Sequence, residues 1–93
     1  MDREDLQNLY NEKYEKIFGV DFTDWMENKA PKNESQAFAR CMEIDHELNG
    51  TYDEWFNAEG DRREELQDYR EKLKAEYDLV EEMFHLEAND RNW

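Results

Sequence analysis

Apolar residues recur in the last third of the chain at Leu66, Tyr69, Leu73, Tyr77, Val80 and Phe84, three or four residues apart. That rhythm is the period of an α-helix, about 3.6 residues per turn, not the two-residue alternation of a strand. Asp61 and Glu64 fit the capping pattern that opens a helix. The spacing predicts one helix over about residues 62–88, roughly 40 Å long. Leu79, Met83 and Leu86 form a second apolar patch, rotated away from the main seam. Either that end of the helix is buried on two sides, or the patch meets a partner or a second copy.

The upstream segments also read as helix. Leu6, Leu9, Tyr10, Ile17 and, less centrally, Tyr14 share one face over about 2–18, and Gly19 suits the C-terminal end. Thr23 or Asp21 can cap a short turn around Trp25, which Pro31 stops. Asn33 or Ser35 can cap a helix over about 34–48 with Ala37, Phe38, Cys41, Met42, Ile44 and Leu48 on its apolar face. Asn49–Gly50 reads as its end. Thr51 and Glu54 match a capping box, which predicts a separate short helix over 52–58, closed by Gly60. No β-alternation, repeat or linker interrupts the pattern. The expectation is one all-α domain over 1–93, a small compact bundle of three main helices with short connecting helical turns.

Leu, Ile, Val and Phe supply 16 of the 93 residues, and the net charge is −14. With a mean hydropathy of −1.31, that composition would suit disorder. Three Trp and five Tyr oppose it, because each aromatic side chain buries roughly 150–250 Å². A marginal core is expected. Cys41 is the single cysteine, so no internal disulfide forms and a reducing compartment is the natural reading. No apolar run reaches half the roughly 20 residues of a membrane span, and the acidic start MDREDLQ does not read as a signal peptide. These features predict a cytoplasmic protein. Its charge would repel phosphates, which argues against direct binding to nucleic acid or an anionic membrane. It favours a basic partner, or simply solubility.

The stretch DHELNGTYDEWF, residues 45–56, partly matches a calcium loop. Asp45, Glu47, Asn49, Gly50 and Asp53 fit by position, but Phe56 stands where a bidentate Glu is needed. A helix, an Asn-Gly stop and a capped helix explain the same letters. Glu81 and His85 are four apart, a metal-ligand spacing that is common by chance. Cys41 sits beside Phe38 and Met42 on an apolar face, which suits a core thiol rather than a nucleophile. No Gly-rich phosphate loop, Ser-His-Asp pattern or Cys/His cluster occurs. The expectation is a non-enzyme without cofactor or metal.

The acids carry the sharpest signal. Glu43, Asp45, Glu47, Asp53, Glu54, Glu59 and Asp61 lie between Arg40 and Arg62 with no basic residue among them. Glu76, Asp78, Glu81, Glu82, Glu87 and Asp90 lie likewise between Lys74 and Arg91. On the long helix, Glu64, Asp68, Glu71, Asp78 and Glu82 form one stripe. Like charges at i,i+4 each cost about 0.2–0.5 kcal/mol, so a row of them calls for a reason. Carboxylates about 5–6 Å apart on a rigid helix approximate a row of phosphates, and a basic nucleic-acid-binding groove would meet a similar field. Trp25, Tyr52, Trp55 and Trp93 are candidate aromatic anchors. In size, acidity and helical content the chain resembles, as a class, the small acidic inhibitors that phages use against host defence: DNA mimics that block restriction enzymes, and anti-CRISPR proteins. The resemblance implies an inhibitor of a nuclease or defence complex. The competing expectation is a helical regulatory module that self-associates through Leu79, Met83, Leu86 and Trp93.

Overall fold

Short polar side chains set the helix starts. In the computed structural model, which describes residues 2–84, the Asp2 carboxylate accepts from the Asp5 amide at 2.8 Å and opens α1, Arg3–Leu9. A π-helical segment, Tyr10–Tyr14, continues it into α2, Glu15–Phe18. Gly19 ends α2 at φ 74°, a left-handed conformation that costs glycine nothing. The Asp21 carboxylate caps α3, Phe22–Asn28, by accepting from Asp24 N at 2.8 Å. Asn33 caps α4, Glu34–Asn57, through Gln36 N at 2.8 Å. Gly60, at φ 61°, starts α5, Gly60–Phe84. The chain is all-α, with no strand among the described residues.

The π segment decides which face of the first helix is buried. Side chains four apart drift by about 40° per step in a regular α-helix. The wider turn removes that drift and brings Leu6, Tyr10 and Tyr14 together inside, while Ile17 turns outward. Tyr10 meets Phe18, Phe22 and Trp25 at centroid distances of 5.6–5.8 Å, contacts worth about 0.5–1.5 kcal/mol each beyond burial. Its hydroxyl donates to Val20 O at 2.6 Å. Leu79 of α5 completes this cluster. A second cluster joins Ala37, Cys41, Ile44 and Leu48 of α4 to Leu73, Tyr77 and Val80 of α5. Each fully buried aliphatic side chain contributes about 1.5–3 kcal/mol, so α5 is held on two sides.

Two expectations need correction. α4 does not stop at Asn49–Gly50, and no separate helix begins at Thr51. The Thr51 hydroxyl donates backwards to Glu47 O at 2.8 Å instead of capping a new start. Continuity keeps Leu48, Thr51 and Trp55 on one side, facing α5. There the Arg70 guanidinium, itself buried, donates to Leu48 O at 2.5 Å and to Thr51 Oγ1 at 2.8 Å. The Tyr52 and Trp55 rings lie 5.6 and 5.5 Å from it. The second correction concerns the expected apolar faces. Phe38, Met42 and Tyr69 are exposed, and buried Arg70 takes the place expected of an apolar residue.

A continuous α4 makes Gly50 an interior helical glycine, and a Cβ there meets nothing within 4 Å. Gly50→Ala is expected to stabilise the chain by about 0.5–1 kcal/mol in urea denaturation. Gly60→Ala, at positive φ, is expected to destabilise it by about 1 kcal/mol. Destabilisation by Gly50→Ala would show that the helix breaks there. Arg70→Lys loses the planar donor fork and is expected to cost about 1.5–3 kcal/mol. An unchanged unfolding midpoint would remove Arg70 from its structural role.

Candidate acidic interface

Glu64, Asp68, Glu71, Asp78 and Glu82 all lie in α5 and all are exposed. At about 100° and 1.5 Å per residue they stay within about 40° of one line and span about 27 Å. The buried residues Leu66, Leu73, Tyr77 and Val80 lie roughly half a turn away. The same repeat returns to the acidic line at position 75, and there the chain carries Ala75, which packs against the cluster of the first helix. Lys13, Tyr14 and Ile17 face Glu71, Lys74, Ala75 and Asp78 across a surface cleft. A small residue in the row therefore lets the first helix approach.

That approach divides the stripe. Asp78 and Glu82 flank Tyr14, whose hydroxyl pKa is pushed up to about 12, chiefly by burial and then by these two charges. Glu64 and Asp68 occupy the open end, beside Gly60, Arg63 and Gln67 along a shallow cleft. No ion pair or side-chain hydrogen bond among the described residues engages either. Glu71 accepts from Gln67 Nε2 at 2.7 Å and lies 3.9 Å from Lys74 Nζ.

The windows free of basic residues are less bare in space than in sequence. Glu43 pairs with Arg40 at 3.1 Å, and Glu54 pairs with Arg62. Glu47 accepts from the Tyr69 hydroxyl at 2.7 Å, which is the main reason the Tyr69 pKa is raised. Asp45 accepts from Asn49 Nδ2 at 3.5 Å. Glu76 receives Arg40 Nη2 at 2.6 Å and Nε at 2.8 Å, tying α4 to α5. Burial works against the Arg40 charge, but Glu76 and Glu43 outweigh it and its pKa is raised. Asp53, Glu59 and Asp61 remain exposed near the α4–α5 turn. The acids of 43–61 thus split into members with a partner, either within α4 (Glu43, Asp45) or on α5 (Glu47, Glu54), and an open group near the turn.

Leu79 does not offer an apolar interface. It is 0% exposed, and Met83 is partly buried against the same cluster, so the first helix fills the patch from within the chain. Leu86, Trp93 and His85 lie outside the described residues. Of the aromatic anchors, Trp25 is in the core and Tyr52 is exposed. Trp55 is half-buried between the Arg63 and Arg70 guanidiniums, 5.0 and 5.5 Å from its ring. Sequence reasoning missed those arginines. They stand seven apart on one face of α5, a signal that becomes readable once α5 is paired with α4. The calcium-loop letters 45–56 are continuous helix, which cannot wrap an ion. No group of three or more metal-binding side chains occurs among the described residues, and no helix there is long and apolar enough to cross a membrane. Comparison with known proteins gives no matching family model, curated sequence or solved structure.

A tyrosine pKa raised in the fold above its ordinary 10.0 adds stability below pH 10, and that contribution is lost as pH rises through 10 towards 12. Ultraviolet titration is expected to show a late-ionising tyrosine that Tyr14→Phe abolishes. Combining Asp78→Asn with Glu82→Gln should lower its pKa part of the way to 10, because burial is the larger cause. No response to the double change would separate these acids from the first helix.

Proposed function

We propose that the chain is a non-enzymatic acidic inhibitor that occupies the basic nucleic-acid-binding surface of another protein. The observation that carries this reading is the line of five exposed carboxylates on one unbroken helix. α5 is about 37 Å long, slightly more than one turn of duplex, about 34 Å. Two packed clusters hold the helix that carries these charges, so binding does not have to order its backbone first. Arginine and lysine side chains that grip consecutive phosphates would meet carboxylates along the same track. Opposite charge would steer the encounter and make it fast and salt-sensitive. The open end, Glu64 and Asp68 with Glu59 and Asp61 near the turn, would make the first contact. Asp78 and Glu82, beside the first helix, would add to the field more than to the contact. A nuclease or defence complex of the kind that phage inhibitors block is the partner class that fits this chemistry.

The test is capture from a native-host lysate, read by mass spectrometry, with elution by salt and by duplex DNA. Wild type is expected to retain a nucleic-acid-binding protein that both eluents release. Glu64→Gln, Asp68→Asn and Glu71→Gln together should reduce capture at least tenfold. Asp78→Asn with Glu82→Gln should reduce it by a smaller factor. Equal capture by every variant at every salt concentration would reduce the stripe to a solvated face.

A further inference from the structure

The outer face of α4 is aromatic where a solvated face is expected. Phe38, Met42, Tyr52 and Phe56 are 54, 53, 42 and 61% exposed. With Asp45 and Asn49 they recur at spacings of four, three, four, three and four, which keeps all six within about 40° of one line along the helix. The buried residues Ala37, Cys41, Ile44 and Leu48 lie about a quarter turn away. The rings are organised, since Tyr52 and Phe56 stack at 6.2 Å and 17° and Arg70 lies over the Tyr52 ring from within the fold.

The six positions are symmetric about residue 47. Phe38 and Phe56 lie nine residues either side, Met42 and Tyr52 five, and Asp45 and Asn49 two. We propose that this face pairs with the same face of a second copy of the chain, antiparallel, about a two-fold axis at the level of residue 47. Each Phe38 then meets Phe56 of the second copy, and each Met42 meets its Tyr52. At the centre the Asn49 amide, which reaches Asp45 of its own copy at 3.5 Å, donates through its second hydrogen to the Asp45 carboxylate of the second copy. A two-fold interface requires this kind of self-complementarity, and a polar pair inside an apolar seam fixes register. Parallel pairing would set Asp45 against Asp45, and a one-heptad slip in either direction would set the polar pair against apolar side chains. Both alternatives are disfavoured by the same residues that favour the antiparallel register.

Area sets the strength. At roughly 150–250 Å² per large side chain, the exposed fractions leave about 400 Å² of apolar surface on each copy. Two copies with their polar margins reach the low end of specific interfaces, about 1,200 Å² in total, so the dimer is a reversible one. Each copy carries a net charge of −14, so screening by salt strengthens the pairing. The proposal rests on α4 alone and is independent of the acidic stripe of α5.

Sedimentation velocity of the full chain, from micromolar to millimolar concentration at low and high salt, is the test. A concentration-dependent dimer is expected, with association several-fold stronger at high salt. Phe56→Glu and Met42→Glu each remove an exposed side chain. They should weaken association more than tenfold while circular dichroism and thermal melting stay near wild type. Oxidation of Asp45→Cys mixed with Asn49→Cys should yield the mixed cross-link, while each variant alone cross-links poorly. Cys41 is buried and does not compete. A monomer at every concentration would overturn the proposal. So would a dimer unaffected by both variants, or efficient cross-linking between identical positions.

Discussion

The Arg70 guanidinium is buried against the middle of α4, and the two longest helices depend on how its donors are met. Removing a cation from water costs several kcal/mol unless its donors find acceptors. No carboxylate pairs with Arg70 among the described residues. Its acceptors are a backbone carbonyl and a hydroxyl, Leu48 O and Thr51 Oγ1, with the Tyr52 and Trp55 rings against its plane. A protein of net charge −14 surrounds a buried cation with favourable potential. The arrangement requires Leu48, Thr51 and Trp55 to lie along one side of an uninterrupted helix. It thus holds α4 continuous through a glycine, and a continuous α4 carries both the core face and the exposed aromatic face.

Charge is handled differently on the two long helices. Along the α4–α5 seam, acids are matched by groups distant in sequence, Glu76 by Arg40 and Glu47 by Tyr69. On the far side of α5 the acids stand in a row, and the first helix docks at the single gap, Ala75. The stripe is therefore also a boundary, since Asp78 and Glu82 border Tyr14 of the first helix while Glu64 and Asp68 stay open beyond it. The two proposed contacts, one through the acidic line of α5 and one through the aromatic face of α4, are expected to respond to salt in opposite directions. Salt would weaken steering to a basic partner and strengthen pairing between like-charged copies.

Helix content and most helix starts were legible in the residues, because capping chemistry is local. Asp21 and Asn33 act where short polar side chains preceded apolar periodicity, and Gly19 takes the positive φ that its position suggested. The stripe was legible for the same reason, since spacing on a helix is arithmetic. Thr51–Glu54 misled because a Thr-x-x-Glu pattern is equally compatible with a helix interior, where the hydroxyl back-bonds to a preceding carbonyl. Propensity at Asn49–Gly50 costs on the order of 1 kcal/mol, and packing on both sides of that point exceeds it. Phe38 and Met42 look like core letters, and Tyr14 like a flanking one. The π segment and the packing of α4 against α5 decide otherwise.

The sequence by itself determined that the chain is helical, that it is strongly acidic, and that five carboxylates share one line of α5. Those properties depend on composition and on contacts within a few residues. The tertiary structure alone decided which acids stay open and which are matched, because the matching cations lie up to 36 residues away. It decided that Leu79 is core, because the first helix has to fold back to cover it. It also decided that the symmetric aromatic face of α4 points outward, because burial of Arg70 and Leu48 fixes the rotation of that helix about its own axis.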